Sequence, residues 1–448
     1  MSKCCGPIKL TRRQMLAQAA SFAAFTAAAS RSDAQIVAGN VRPRNTAKAC
    51  IFINLAGAPS HLDTFDAKEG PWNPPDADIR GYSGGLTLSR TMFPGFSKIT
   101  GDLLFLRSVQ SWEAAHERGQ FYMQTAHPSN PAFVAETPHM GAVTGLEKSG
   151  AGQLPPFLTL NGSAGAFQGA TFLSGKMEPL AAPSNTGGLS TIEHNFFGAQ
   201  SQSRFDGRFK LMEQLDQPLR SAPPDKLMAN HAEFYTAARG LMYDPAISAV
   251  FRFTADDDGR YGNTGFGRSC IVARNAIRAK NGTSFVNITL NGWDTHQQMF
   301  DRGYGGNMYD LCNNLDRSVS ALVEDLKASG DFASTLIVAM GEFGRTPGTL
   351  NVRGGRDHHK FAMSVAMMGG GVRGGRAIGS TDDEGDRIET PGWSQDRPIV
   401  MEDLAATIYS ALGINWTKSI TDTPSGRRFE YVPYATEGRY RPVDEVFA

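Results

Sequence analysis

The chain has 448 residues, with 44 Lys and Arg balanced by 44 Asp and Glu. A net charge of zero gives no electrostatic footprint for nucleic acid or for an anionic membrane. An apolar fraction of 41%, with 27 Phe, excludes wholesale disorder. The 49 Gly follow no collagen-like period and point instead to many tight turns.

Residues 1–34 read as an export signal. Lys3, Lys9, Arg12 and Arg13 form a basic start, and Met15 to Ala29 is a run of small apolar residues. That run is shorter than the ~20 residues that span a bilayer, so no permanent membrane anchor is expected. Ser32 and Ala34 supply the small residues of a cleavage site before Gln35. Thr11-Arg12-Arg13-Gln14-Met15-Leu16 resembles a twin-arginine signal, which is read by the twin-arginine export machinery and carries folded proteins. The expected location is periplasmic or extracellular. The signal holds five basic residues and one acid, so the mature chain carries −4 and keeps only Cys50, Cys270 and Cys312. Three widely spaced Cys make neither a disulfide framework nor a zinc ribbon. One bridge with a free thiol and three buried thiols both remain open.

Five continuous apolar runs follow: Cys50–Leu55, Leu103–Arg107, Phe285–Leu290, Thr335–Met340 and Met363–Met368. Unbroken rather than alternating runs suit strands buried on both faces. Met308, Leu311, Leu315, Val319, Leu322 and Leu326 recur at helical spacing between two of them, and Gly330 stops that helix. The result is a βαβ unit with a right-handed crossover expected. A last helix is predicted from about Glu402 to Leu412. The fold class predicted is α/β, a three-layer α/β/α sandwich on a largely parallel sheet. Residues 155–280 break the alternation and read as an insertion or cap, helical near Phe205–Leu215 and Leu227–Leu241.

Open α/β sheets bind ligands beyond the carboxyl ends of their strands. The loops at the predicted strand ends carry His61, Asp63, Asp294, His296, Glu342, Asp357 and His358. Carboxylate oxygen with imidazole nitrogen is a ligand set for a divalent metal. Asp63, Asp294, His296, Glu342, Asp357 and His358 are the candidate ligands, with zinc, manganese, calcium or magnesium as the candidate ion. Ser111, beyond the second strand and before a helix, is a candidate nucleophile, although an N-cap role is the simpler and preferred reading. His116 falls in the first turns of that helix and could face the same site. Arg345 offers a planar fork for an anion, or a salt bridge to a nearby carboxylate. His127 and His139 read as structural.

Several of these segments together resemble the domain-of-unknown-function 1501 family. They are Gly57-Ala58-Pro59-Ser60-His61-Leu62-Asp63-Thr64-Phe65-Asp66, Gly292-Trp293-Asp294-Thr295-His296, Gly341-Glu342-Phe343-Gly344-Arg345-Thr346-Pro347, Gly355-Arg356-Asp357-His358-His359, Gly369-Gly370-Gly371-Val372-Arg373-Gly374-Gly375 and the closing Asp403–Tyr409 helix. The resemblance runs from residue 47 to about 435, within a domain taken as 47–440. It implies a fold like the alkaline phosphatase–sulfatase superfamily. It also implies metal-dependent hydrolysis of a small anionic ester or of a sulfated or phosphorylated glycan. On that resemblance Asp294 and His296 stand where two ligands belong, Glu342 where an Asp ligand belongs and His358 where a late His belongs. Phe343 stands where the superfamily's paired His would be, Asp63 lies several residues past its strand, and no Cys near Ser111 can serve as a formylglycine precursor. A non-catalytic binding or scaffold protein with a degenerate site is the alternative. Trp293 and scattered Tyr also admit a carbohydrate-binding module.

Overall fold

The computed structural model describes residues 41–150, 152–162, 169–182, 201–224, 226–241 and 244–447. The export-signal expectation lies outside them. Eight strands form the main sheet: β1 Ala49–Ala56, β2 Leu104–Val109, β3 Phe157–Leu160, β4 Leu180–Ala182, β5 Phe285–Asn291, β6 Thr335–Met340, β7 Met363–Met368 and β8 Arg376–Ile378. Their spatial order is β8-β2-β7-β6-β1-β5-β3-β4. β7 is antiparallel to both neighbours, and every other pairing in the sheet is parallel. β1 sits at the centre, with Cys50 opposite Phe285 of β5 and Leu336 of β6.

Side chains alternate faces along a strand, and here both faces are apolar. Ile51, Ile53, Val286, Ile288, Ile337 and Ala339 join one core cluster, while Cys50, Phe52, Phe285, Leu336 and Val338 join the other. The first cluster is closed by helices α7 Gly265–Ala279 and α8 Met308–Ala328, the second by α1 His116–Thr125, α2 Met140–Lys148 and α9 Met401–Ala411. The predicted three layers are therefore present. α8 buries all six residues of its predicted stripe, and the Asn307 side chain caps it by accepting from Asp310 N–H at 3.1 Å. The three thiols are unbridged and buried.

The stretch 155–280 differs from the expectation. Phe157–Leu160 pairs with β5 and Leu180–Ala182 extends the sheet, while α7 packs on its face. Four residues, Phe-Leu-Thr-Leu, are too short a run to announce a strand. Helix α3 Ser201–Ser221 packs on α4 Lys226–Leu241, which rests against the Gly175–Met177 turn and packs Leu241 on the first core cluster. Short helices α5 Pro245–Val250 and α6 Ala255–Arg260 lead into α7.

Candidate metal centre

Strands β1, β5 and β6 share one direction, so their carboxyl ends lie on one edge of the sheet. The Asp294–His296 loop follows β5, and Glu342 and Arg345 follow β6. β7 runs the other way, so the residues preceding it reach the same edge, and these include His358. Arg345 and His358 are paired directly in a two-residue antiparallel ribbon. α1 begins at His116, after the loop that leaves β2.

Four ligand atoms converge there: one each from His116, Asp294, His296 and His358, all within 4.8 Å of one another. Asp294 Oδ1 is 3.2 Å from His116 Nε2, 3.0 Å from His296 Nε2 and 3.5 Å from His358 Nε2. His296 Nε2 and His358 Nε2 are 3.1 Å apart. A tetrahedron with bonds of zinc–imidazole length has edges of about 3.3 Å, so these spacings fit one ion.

Each imidazole has its other nitrogen tied to an acceptor. His116 Nδ1 lies 2.7 Å from Glu342 Oε1, His296 Nδ1 lies 2.7 Å from Asp357 Oδ1, and His358 Nδ1 lies 2.7 Å from the Ala114 carbonyl. Those acceptors place the proton on Nδ1 and leave Nε2 bare, which is how metal-ligating histidines are oriented. His116 Nε2 is buried without a hydrogen-bond partner. Its 3.2 Å separation from Asp294 Oδ1 is close enough for an ion pair but lacks hydrogen-bond geometry. A bare nitrogen pointing at a carboxylate fits a cation between them.

Glu342 is fully buried and accepts from Gly57 N–H at 3.1 Å and from Gln120 Nε2 at 2.6 Å as well as from His116. Its hydrogen bond is the largest influence raising the His116 pKa, against the opposing effect of burial. Burial acts first on His358 and lowers its pKa. Burial also pushes Asp294 up, but the Arg345 hydrogen bond and charge, with His116 and His296, outweigh it and hold Asp294 at about 2. Asp294 is thus a carboxylate at any physiological pH. Gly57 has φ +109°, and a Cβ there would meet Asp294 N at 2.4 Å. The backbone can approach this closely only without a side chain.

Sequence expectations divide at this point. Asp294, His296 and His358 are brought together, and His116, expected to face the same site, joins them as a fourth ligand candidate. Glu342 and Asp357 stand one step back, each holding an imidazole. Asp63 is elsewhere: the turn His61–Asp63 aims it at Arg356, whose Nε donates to Asp63 Oδ2 at 2.8 Å, and both side chains are buried. Ser111 is not an N-cap, since α1 is preceded by Ala115. The Ser111 hydroxyl accepts from Glu113 N–H at 3.2 Å and makes no hydrogen bond with the cluster. His61 Nε2 is bonded to Gly385 O at 2.8 Å, outside the cluster. His127 and His139 are structural: the first stacks on Phe429, and the second caps α2 through Gly141 N–H.

Arg345 is no free anion clamp. Its five N–H donors go to Ala58 O, Arg356 O, Gly57 O, His296 Nε2 and Asp294 Oδ1. Phe343 packs against both His116 and His358, with ring centres 5.1 and 4.7 Å away. No other group of three or more such ligands occurs among the described residues. Trp293 is fully buried, which removes it as a carbohydrate contact. The four cluster side chains remain 25–48% exposed, so the centre opens to solvent. A separate groove of about 1000 Å³, whose lining includes Leu154, Pro156, Thr171, Met177, Phe234 and Leu241, shares no residue with it.

Fold and site together define an α/β protein with a cluster of three His and one Asp, which could hold a metal ion, at the carboxyl edge of its sheet. The chain belongs to the family described as "Protein of unknown function (DUF1501)", whose model matches residues 47–440. No curated protein matches it. Among solved structures it is similar to a phosphonate monoester hydrolase from Silicibacter pomeroyi, with 12% identity over 90% of this chain and 76% of that one, at a TM-score of 0.40. It is similar to the PsFucS1 sulfatase from Pseudoalteromonas sp., with 11% identity over 84% and 68% and a TM-score of 0.38. The alkaline phosphatase of the Antarctic bacterium TAB5 matches at 13% identity over 73% and 92%, with a TM-score of 0.35. Likeness at this level carries no activity from those proteins to this chain. Among the described residues, no helix is long and apolar enough to cross a membrane.

Proposed function

We propose that this chain is an exported hydrolase of phosphate or sulfate esters that works with one divalent metal ion. The observation that carries the reading is the convergence of three bare imidazole Nε2 atoms and one ionised carboxylate at an open sheet edge. Three nitrogens and one oxygen favour zinc or manganese over calcium and magnesium, which take oxygen ligands. His116, Asp294, His296 and His358 would hold the ion, with Glu342, Asp357 and the Ala114 carbonyl fixing the three rings. A divalent ion there supplies a Lewis acid for the ester oxygen and lowers the pKa of water.

The chain's own groups do the positioning. No serine or cysteine hydrogen-bonds the cluster among the described residues, so water is the nucleophile this reading assigns. Its oxygen bonds to phosphorus or sulfur, and the alcohol leaves with a proton. The one lone pair of His296 Nε2 serves either Arg345, at 3.3 Å, or an ion. Ion binding therefore leaves a buried Arg345 N–H without an acceptor, and an ester oxygen is the natural one.

The test is metal content and turnover together. Metal-free protein is loaded with zinc or manganese and offered a panel of phosphate and sulfate monoesters and diesters. The expected result is one bound ion and turnover, both lost in Asp294→Ala/His296→Ala. No ion in the parent, or equal ion in both, overturns the reading. An ion without turnover on any ester leaves a metal-binding protein and removes the hydrolase.

A further inference from the structure

Asp63 and Arg356 stand outside the ligand cluster, yet their side chains are only 1% and 0% exposed. Asp63 Oδ2 accepts from Arg356 Nε at 2.8 Å and from Ser60 Oγ at 2.6 Å. Arg356 Nη2 and Asp63 Oδ1 are buried without a hydrogen-bond partner. Burying two charges is costly unless their remaining donors and acceptors are satisfied, and here one of each is bare. Such a pair is a weak source of stability. Its other contacts point to a different role.

Arg356 touches the loops that carry the cluster. Its backbone N–H donates at 3.0 Å to the carbonyl of Thr295, which lies between Asp294 and His296. Its carbonyl accepts from Arg345 Nη1 at 3.1 Å. Its Nη1 donates to Thr346 O and Gly348 O, both at 2.8 Å. Its Nε reaches the His61–Asp63 turn that follows β1. Asp357, which holds His296, is the next residue, and His358 is the one after. Thr346 ties the same segment again: its N–H donates to Asp357 O at 2.8 Å, and its Oγ1 accepts from Asp357 N–H at 2.9 Å. A Cβ on Gly355 would overlap the His296 carbonyl carbon, so the two loops touch backbone to backbone. Segments that follow β1, β5 and β6, and the one that precedes β7, thus meet at a single arginine.

We propose that Arg356 is a positioning residue for the metal centre and that Asp63 fixes its guanidinium in place. The inference rests on the reading of the cluster as a metal-binding centre. Asp294 and His296 come with one loop and His358 with another, so their spacing depends on how the two loops are tied. Arg356 ties them through the Thr295 carbonyl, while its planar fork anchors the 346–348 segment. The fork holds its donors in set directions, which a lysine's single ammonium cannot do. Ligands held loosely by their surroundings bind a metal less well, and losing an outer partner usually costs about 10–100-fold in affinity.

The test separates metal geometry from stability. Zinc affinity is read by chelator competition, ligand geometry by the visible spectrum of cobalt-loaded protein, and stability by chemical denaturation. Arg356→Lys keeps a charge beside Asp63 and loses the fork. It should bind zinc about tenfold more weakly and shift the cobalt bands. Asp63→Leu/Arg356→Met removes both charges, which a buried site tolerates better than a broken pair, and should lose about 100-fold. Leu326→Ala truncates the core in the last turn of α8; it should unfold earlier yet bind zinc as the parent does. Parent affinity and spectrum in Arg356→Lys would overturn the role. So would an equal loss of affinity in Leu326→Ala, because binding would then follow stability alone. Should the double variant fail to fold, Arg356→Lys decides. Hydrogen exchange on metal-free protein separates this inference from the reading beneath it. Amides of residues 294–296 and 346–348 should exchange faster in Arg356→Lys, while those of β1, β5 and β6 stay protected. That pattern with no zinc bound by the parent would sink the metal centre and spare the tie between loops. Zinc bound by the parent, with exchange and affinity unchanged in the variant, would do the reverse.

Discussion

Three donors would lose their common acceptor if Glu342 were removed: His116 Nδ1–H, Gln120 Nε2–H and Gly57 N–H. Each is in or beside the buried floor of the site, and Asn54 Nδ2 donates in turn to Gln120 at 2.7 Å. Glu342→Ala should lower zinc affinity by about 10–100-fold, the usual effect of losing a ligand's outer partner. It should also cost about 1–3 kcal/mol of stability from unpaired buried groups. Chelator competition and chemical denaturation read the two effects. Unchanged affinity would show that Glu342 does not orient His116. This role was hidden in the sequence because Glu342 and His116 lie 226 residues apart. The i, i+4 spacing of His116 and Gln120 was the available signal, since both reach Glu342 from one face of α1. Asp294 and His296 were legible because a single loop carries both. Asp63 was misread because proximity to a strand end says nothing of where a 3-10 turn aims a side chain.

Helix α9 shows how an element is held at a cost. Glu402, in its first turn, is buried and accepts from Tyr122 Oη of α1 at 2.5 Å. Burial first, with neighbouring Asp403 adding, lifts its pKa from 4.5 to about 7, against the Tyr122 hydrogen bond. A raised carboxyl pKa means that the folded chain keeps a proton the unfolded chain releases. The contribution of Glu402 is therefore complete below about pH 4.5 and is lost as pH rises to about 7. Glu402→Gln keeps an acceptor for Tyr122 without the charge. It should be neutral near pH 4.5 and stabilising by at most about 3 kcal/mol above pH 7. Denaturation midpoints of parent and variant across that range test this, and parallel curves would refute it. At this scale the sequence served unevenly. α8 was readable because six apolar residues keep helical spacing, whereas β3 and β4 were not, because three or four residues carry no period.

For the whole molecule, the direction of the strands explains why distant segments meet. β1, β5 and β6 deliver the loops that follow them, and antiparallel β7 delivers the loop that precedes it. Continuous apolar runs made the layered sheet predictable, since strands covered on both faces must read that way. The antiparallel turn of β7 was not predictable from its composition, which is as apolar as its neighbours'. With 44 basic and 44 acidic residues, the chain offers no long-range attraction for an anionic ester. On the proposed reading, recognition would fall to the local cation that His116, Asp294, His296 and His358 would hold. Zinc titration of the metal-free protein tests that arrangement most directly. One equivalent should bind to the parent and to Ser111→Ala, and binding should be lost in His116→Ala and in His358→Ala. Full zinc affinity in His116→Ala, or none in the parent, would contradict a four-ligand centre at this edge of the sheet.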